Sequence, residues 1–459
     1  MQAPGTTFVP TVDRRHARML LPGAYGAVLL LVIWWFRYLP LADFNEWAYQ
    51  AFITRTLLDG TGSAVFYLRD YPVPYITSQL WMTGLNFFMS PVAAARCTVT
   101  AYLVVAAWLA YRFVEANRLR PELAYPALLV CIVCNSSFWS GYLNYQCGLL
   151  VLMAYLSLPD DRQRDPRVVC GVSLLAFACH GFCLLAFGVL SGMQALYRSR
   201  RAVLHYVIAM VPAGLLTLWY LLAKSNDAMP ALHTPVSYGD VRFLAYKFYT
   251  LSKAGPYQNF MIGDLSDLGR LPSLFWLGCA ANLAAAVVLL RMQVLALKRP
   301  AVAHHAALRA VAVVLGAAYL LVPATALQIV NPGERLLYPQ LLVVFVLTLR
   351  RPDEGGLPAR RRWAPVAASM AVGVALLSLV NLMGSTEAQG YRGVSADTFQ
   401  SAQQGYAERF YWHRPYQFIA MQDHMVERYT QGRAPEMPIT FTTSLIGMHP
   451  VARLTPPTP

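Results

Sequence analysis

Long apolar runs separated by short polar segments dominate this chain of 459 residues. A helix of about 20 apolar residues is long enough to cross the hydrocarbon core of a bilayer, which is about 30 Å thick. The pattern therefore predicts an all-α fold, a polytopic transmembrane helical bundle of about 11 spans. We place the spans near residues 20–39, 97–115, 122–138, 143–158, 168–181, 182–197, 203–223, 272–295, 311–329, 336–349 and 364–383.

The stretch at 168–197 allows two interpretations. One long helix would put the basic cluster at 198–201 on the exterior side, whereas two short helices that turn near His180 and Gly181 keep it inside. Short basic loops mark the cytoplasmic side of membrane proteins. We therefore favour two helices over one.

Composition agrees with a membrane protein: 57% of the residues are hydrophobic and only 13% are charged. Soluble proteins carry about a quarter charged residues. The net charge of +14 comes largely from Arg and Lys in short segments between apolar runs, so it indicates topology and not nucleic-acid binding. We expect an integral protein of a bacterial inner membrane, with the N-terminus cytoplasmic and the C-terminus periplasmic.

Two regions are predicted along the chain. Residues 1–383 form a transmembrane module with exterior loops at 41–96 and 225–271, and residues 384–459 form a small exterior tail. The long first exterior loop is expected to carry interfacial helices, although its part at 76–89 could instead begin the second span. No Walker loop, HExxH or GxSxG motif occurs, so nucleotide-driven chemistry within the chain is not expected.

The strongest candidate for chemistry is an acidic pair directly after the first apolar run. On a helix, Asp43 and Glu46 would share a face beside Trp47. A partly desolvated carboxylate at a membrane surface can act as a general base toward a hydroxyl. The alternative is structural, because the same spacing caps a helix and because Trp belongs to the interfacial belt.

A second cluster follows in the same loop. Arg69, Asp70 and Tyr71 precede two prolines, whose fixed φ would hold the charged residues in a defined place. A rigid turn with solvated charges is an equal alternative.

Two later positions are candidates for substrate binding. His180 is an ionisable residue at membrane depth, and such residues are functional hypotheses by default, although a lone histidine is often structural. Glu334 and Arg335 stand where the span at 336–349 begins. Arg335 could bind a phosphate with two hydrogen bonds, or could serve as an interfacial anchor.

Over residues 40–96 the chain resembles the GT-C superfamily of membrane glycosyltransferases. The features that carry the resemblance are Asp43-x-x-Glu46 after the first span, Tyr71-Pro72-Val73-Pro74, and Ala93-Ala94-Ala95-Arg96 at the next span. Many such enzymes have an adjacent Asp-Glu pair, and some have a large soluble C-terminal domain that is missing here.

The resemblance implies a reaction and roles for these residues. The donor would be a sugar on a polyprenyl phosphate presented from the lipid bilayer, and the acceptor a glycan, lipid or protein. Asp43 would be the general base of an inverting transfer, and Glu46 or Asp70 would orient the acceptor. Arg335, together with Arg69 or a Lys of the second loop, would stabilise the lipid phosphate. The aromatic residues that could stack on sugar faces are Trp47, Tyr67 and Tyr71.

Other functions remain open at this stage. A lipid-linked glycan ligase or polymerase would centre on the loop at 225–271, and a transporter or a non-catalytic scaffold subunit would not need the acidic pair. The cofactor is also open: Mg²⁺ or Mn²⁺ could bind the carboxylates of Asp43, Glu46 and Asp70. No redox or nucleotide cofactor is expected.

Overall fold

Helices make up most of the structure, a computed structural model that describes the following residues: 26–27, 29–31, 34, 41, 44–62, 66–225, 247, 250–251, 272–298, 303–322, 325–326, 329–330, 332–351 and 444–448. The first loop, at 41–96, contributes α1 (Phe44–Leu58), β1 (Phe66–Leu68) and α2 (Thr77–Leu85). Next come α3 (Pro91–Ala116), α4 (Pro121–Leu128), a π-helical turn (Leu129–Val133), α5 (Ser136–Trp139), α6 (Leu143–Leu156) and α7 (Asp160–Arg164). The remaining elements are α8 (Pro166–Cys179), α9 (Gly181–Leu196), α10 (Arg200–Ser225), α11 (Pro272–Lys298), α12 (Ala303–Leu321), β2 (Thr325–Ala326), β3 (Ile329–Val330), α13 (Glu334–Thr348) and β4 (Ile446–Met448).

The expected all-α architecture is confirmed, since the short strands are minor additions to a helical bundle. Within the described residues, three helical stretches are long and apolar enough to cross a membrane: Pro91–Ala116, Pro121–Trp139 and Arg200–Lys224. Shorter apolar helices accompany them, at Leu143–Leu156, Pro166–Cys179, Gly181–Leu196 and Ala306–Leu321.

The stretch at 168–197 forms two helices, as favoured from the position of its basic cluster. His180 has an extended backbone, with φ of −169° and ψ of 132°, and it separates α8 from α9. The amide of His180 donates to the carbonyl of Ala176 and completes the last turn of α8. The imidazole Nδ1 of His180 accepts a hydrogen bond from the amide of Phe182 in the first turn of α9. One residue therefore caps both helices.

One predicted boundary needs correction, and one open alternative is decided. The span placed at 311–329 is displaced, because α12 covers Ala303–Leu321 and the strands β2 and β3 follow it. Pro323 explains the early end, since a proline shortly beyond the last turn cannot continue a helix. The segment at 76–89 does not begin the second span: α2 ends at Leu85, and α3 starts anew with Ser90 as its N-cap.

Contacts between helix ends define two ends of the bundle. At one end, which we call the basic end, the chain after α13 returns to the chain after α3: the amide of Arg351 donates to the carbonyl of Arg118 and its Nε to that of Leu119, both at 2.9 Å. The ends of α6 and α8 that carry Asn144 and Cys179 lie at the opposite end, together with the start of α13.

The C-terminal tail contributes a strand to the first loop, which the sequence did not predict. β4 pairs antiparallel with β1, with Tyr67 opposite Gly447. The pairing extends one hydrogen bond beyond the strands, from the amide of Arg69 to the carbonyl of Leu445. The amide of Leu445 also donates to the side-chain oxygen of Gln79 on α2. At least residues 444–448 of the tail are thus part of the loop's structure.

Candidate functional site

The imidazole of His180 lies between two tyrosine rings. The ring centroid of Tyr75 is 4.3 Å away and that of Tyr145 is 5.1 Å away, and both rings meet the imidazole edge to face. Because Nδ1 accepts a hydrogen bond from the backbone, the proton of the neutral imidazole resides on Nε2. The side chain is 5% exposed, so this N–H group is available only within the cluster.

Tyr75 is held in an unusual backbone conformation by the first turn of α6. Its φ is 70°, in the left-handed region that non-glycine residues rarely adopt. The Nδ2 of Asn144 donates to its carbonyl at 2.6 Å, while the Oδ1 of the same amide accepts from the amide and hydroxyl of Ser78. The amide of Ile76 donates to the carbonyl of Ala178 at 3.0 Å. The end of the first loop is thereby fixed against α6 and α8.

Arg335 approaches the same place from the start of α13. Its guanidinium lies 4.9 Å from the ring centroid of Tyr142, and its carbonyl accepts a hydrogen bond from the hydroxyl of Tyr145 at 3.0 Å. Burial raises the pKa of Tyr75, and the positive charge of Arg335 partly opposes that shift. Tyr75 therefore stays protonated. We call His180, Tyr75, Asn144, Tyr145 and Arg335 the site cluster.

A buried charge of each sign lies beside the site cluster. Glu334 is the first residue of α13 and is 6% exposed, and its negative charge is favourable at a helix N-terminus. Lys247 is 4% exposed and donates from Nζ to the carbonyl of Tyr319 at 2.5 Å and to that of Val322. Burial lowers the pKa of Lys247 to about 8, and the Glu334 carboxylate partly opposes this shift.

A second group of aromatic and basic side chains borders the loop before Tyr75. The guanidinium of Arg69 donates to the hydroxyl of Tyr71 and lies 5.3 Å from its ring centroid. The ring of Tyr71 is 6.4 Å from that of Tyr220 on α10, and Lys224 Nζ lies 5.6 Å from the Tyr220 ring. Cations and aromatic faces alternate here, which suits a sugar phosphate chemically.

The structure brings together some of the predicted site residues. His180, Glu334 and Arg335 lie at the same end of the bundle, and Arg69 with Tyr71 belongs to the loop that reaches it. Asp70 is exposed to solvent on that loop. Asp43 and the side chain of Glu46 lie outside the described residues, so the acidic pair stays a prediction.

Other predicted residues have contacts that define a structural role. Trp47 is 9% exposed and belongs to the hydrophobic core around α1. Tyr67 packs over Gly447 of the tail, and Nε of Arg69 donates to the carbonyl of Ile446 at 3.2 Å. These contacts leave Trp47 little surface for a sugar, and they give Tyr67 and Arg69 a part in the attachment of the tail.

Sequence reasoning missed Tyr75 and the depth at which Lys247 is buried. Tyr75 could have been noticed because it directly follows Pro72-Val73-Pro74, whose prolines fix the direction of the backbone up to this residue. In the sequence, Asn144 and Tyr145 form a polar pair at the entrance of the span at 143–158, for which helix packing is a simpler explanation than binding. No sequence pattern marks Lys247, because its burial depends on carbonyls more than 70 residues away.

The donor set of the site suits anion binding and hydroxyl chemistry. Arg335, the imidazole N–H of His180 and the hydroxyl of Tyr75 supply hydrogen-bond donors, which a phosphate ester requires. Among the residues that the structure describes, no group of three or more His, Cys, Asp or Glu side chains is arranged to hold a metal ion. Comparison of the chain with protein-family models, curated proteins and solved structures finds no significant match.

Proposed function

We propose that this chain is a membrane glycosyltransferase that moves a sugar from a polyprenyl-phosphate donor to an acceptor at the end of the bundle that carries the site cluster. The observation that carries the proposal is the approach of Arg335 and His180 to the loop that begins with the acidic pair. An anionic lipid head group would meet hydrogen-bond donors there, and a carboxylate would stand on the same loop.

The topology belongs to the same proposal. About 11 spans, a cytoplasmic N-terminus and a periplasmic C-terminus would place the site cluster on the periplasmic face of a bacterial inner membrane. The basic end, where Arg118 and Arg351 meet, would then face the cytoplasm, as the positive-inside rule expects.

The transfer itself requires one base and one anion-binding group. The carboxylate of Asp43 would take the proton of the acceptor hydroxyl, whose oxygen forms a bond to the anomeric carbon. The bond between that carbon and the phosphate oxygen breaks, and its electron pair leaves with the lipid phosphate. Arg335 would stabilise the charge that develops on the phosphate. Attack from the opposite face gives inversion.

Three residues would assist this step. Glu46 or Asp70 would orient the acceptor hydroxyl, and an Asp70 side chain exposed on the loop is accessible to an incoming acceptor. His180 would donate from Nε2 to a phosphate or sugar oxygen, since its Nδ1 is already occupied as an acceptor. Such a fixed donor stabilises a transition state without reorganisation.

The test is sugar transfer by purified full-length protein in nanodiscs, with radiolabelled polyprenyl-phosphate sugars from bacterial membranes. We expect Asp43→Asn to lower the rate about 10²–10⁴-fold, as for loss of a general base. Arg335→Gln should lower it about 10²–10³-fold. Asp160→Asn, an exposed carboxylate on α7, is the matched control and should leave the rate unchanged.

The products separate the competing functions. A single added sugar supports the proposal, whereas a ladder of products indicates a polymerase or ligase. Lipid-linked label that crosses sealed proteoliposomes without joining an acceptor indicates a transporter. Full activity of Asp43→Asn would remove the acidic pair from the centre of the mechanism.

A further inference from the structure

The helix α2 and the turn that follows it carry polar residues on the inside and apolar residues on the outside. Four of the five buried side chains are polar: Ser78, Gln79, Met82, Thr83 and Asn86. Every exposed residue at 80–88 is apolar or glycine, and the spacing places them on one helix face: Leu80, Trp81, Gly84, Phe87 and Phe88. A helix at the surface of a soluble domain shows the opposite pattern.

Hydrogen bonds inside the protein hold the polar face of α2. Oγ of Ser78 donates to Oδ1 of Asn144 at 2.9 Å, and Nε2 of Gln79 donates to Oγ1 of Thr54 at 3.1 Å. Oγ1 of Thr83 donates to a carbonyl of α1 at 3.2 Å. A rotation of α2 that buried its apolar face would break these hydrogen bonds, so the apolar face stays outward.

The lengths of the neighbouring helices set the depth of α2 along the bundle. The helices α6 and α8 both run between the basic end and the site cluster, and each has 14 residues, a rise of about 21 Å. The helix α3 has 26 residues, a rise of about 39 Å, and extends well beyond the site cluster. The hydrocarbon core of a bilayer is about 30 Å thick, so a cluster about 21 Å from the basic end lies within it. Helix α2 connects Tyr75 at this depth with Ser90 at the start of α3.

The backbone before α2 meets the requirement for chain at membrane depth. Irregular backbone occurs there only where its polar groups have partners in the protein or face a water-filled cavity. The carbonyl of Tyr75 accepts from Asn144, and the amide of Ile76 donates to the carbonyl of Ala178. Both groups at the kink therefore have partners inside the bundle.

The outer face of α2 continues the exposed apolar surface of α3. None of the residues at 91–103 is exposed, whereas Val104, Val105 and Trp108 are exposed at 58%, 45% and 59%. Helix α2 packs against α3 and joins its start through a short turn. An apolar surface thus follows α3 in its second half and α2 beside its start.

Arg55 marks the end of this face that lies nearest to the start of α3. Its guanidinium is 5.7 Å from the ring centroid of Phe87, and it forms an ion pair with Asp59 at 3.1 Å. Arg side chains at the ends of membrane segments extend toward the polar head groups. Phe87 is thereby assigned to the shallow end of the face and Leu80 to its deep end.

We propose that α2 is a re-entrant helix whose outer face, Leu80, Trp81, Phe87 and Phe88, is embedded in the acyl chains of the bilayer. Large exposed apolar patches indicate a protein or membrane contact, and a protein contact usually has a polar rim, which this face lacks. Lipid would then lie one helix away from the site cluster, because Tyr75 directly precedes Ile76, the N-cap of α2. The inference concerns the position of the chain in the membrane and does not depend on the proposed reaction.

The test is photo-crosslinking with p-benzoylphenylalanine in full-length protein reconstituted in vesicles of dioleoyl phosphatidylcholine. The photoreactive residue replaces Trp81 in one variant and Phe88 in another, so each position keeps an aromatic side chain. We expect the mass of one phospholipid to be added in both, with a yield similar to that for the same replacement of Trp108, the control on α3. Replacement of Asp161, which is exposed on α7, should give no lipid adduct.

A pair of substitutions gives a second readout. Trp81→Asp should lower the melting temperature in these vesicles relative to Trp81→Leu, because a carboxylate among acyl chains is unfavourable and a leucine is not. Equal melting temperatures would indicate a position in water and would overturn the proposal. It is also overturned if positions 81 and 88 couple to another segment of this chain or to a second copy, or gain no lipid while position 108 does.

Discussion

Asn144 stabilises the left-handed conformation of Tyr75 directly, by donating from Nδ2 to its carbonyl oxygen at 2.6 Å. A non-glycine residue in this conformation costs about 1–2 kcal/mol, so surrounding contacts must favour it. The same amide accepts two hydrogen bonds from Ser78, which fixes the chain on both sides of the kink. The position of the Tyr75 ring against His180 therefore depends on a residue of α6.

Substitution of Asn144 should loosen the site cluster. Asn144→Ala removes three hydrogen bonds, two of them from a fully buried environment, and we expect a loss of about 1–3 kcal/mol in unfolding free energy. Denaturant unfolding measures the loss, and the sugar-transfer assay should show a parallel fall in rate. Asn117→Ala is the control, because Asn117 binds the carbonyls of Phe113 and Leu156 at the basic end. A wild-type rate for Asn144→Ala would contradict a positioning role.

The contact between α6 and α9 should not tolerate a methyl group at Gly148. A Cβ at this position would overlap the side chain of Cys183. We expect Gly148→Ala to lower the unfolding free energy by about 1–3 kcal/mol, as overpacking does. Gly214→Ala on α10 is the matched control, because nothing lies within 4 Å of its added methyl group. That change should be neutral or stabilising by up to about 1 kcal/mol, and equal losses in both variants would refute the packing argument.

Attachment of the tail can be tested at Gly447. A side chain there would collide with the ring of Tyr67, so Gly447→Ala should weaken the pairing of β4 with β1. Hydrogen exchange should become faster at the amide of Arg69, which donates to Leu445 at 2.9 Å. Gly84→Ala in the same loop meets no atom within 4 Å and should leave this exchange rate unchanged. Unaltered exchange in Gly447→Ala would show that the strand pair tolerates the change.

Lys247 should make stability depend on pH in the alkaline range. Its pKa is lowered from 10.5 to about 8, so between these values the native state holds fewer protons than the unfolded state. Stability then rises as the pH increases through this window, because the cost of a buried ammonium disappears. Melting temperatures from pH 7 to about 10.5 should show the rise in wild type, with the window set by the lysine pKa values. Lys247→Met should lack it, and the same slope in both proteins would contradict the assignment.

The sequence was sufficient for an all-α fold, for several of the described helices and for one important break, whereas the spans near 20–39 and 364–383 lie largely or wholly outside the described residues. Apolar runs of bilayer length predicted the helices around α3 and α10 because burial in lipid imposes both composition and length. The basic cluster at 198–201 favoured a turn at His180, which the structure confirms. The residues within each segment determine these features, so they can be predicted from the local sequence.

Features that depend on distant partners were not predictable. The conformation of Tyr75 depends on Asn144, and the burial of Lys247 depends on the carbonyls of Tyr319 and Val322. The positions of these residues along the sequence do not indicate that they are in contact. The strand pair joins Tyr67 to Gly447 across most of the chain, and three-residue strands carry too little pattern to be recognised. The end of α12 was misplaced because the apolar run continues beyond Pro323.

The pairing of β1 with β4 also imposes a parity rule on the chain. Two strands that share hydrogen bonds must lie on one side of a bilayer, so the number of crossings between Leu68 and Ile446 is even. The bridge between Leu119 and Arg350 imposes the same rule on the shorter segment between those residues. A reporter enzyme fused after the tail strand must therefore signal from the compartment that holds the first loop, and the gain or loss of a single crossing would be incompatible with this fold.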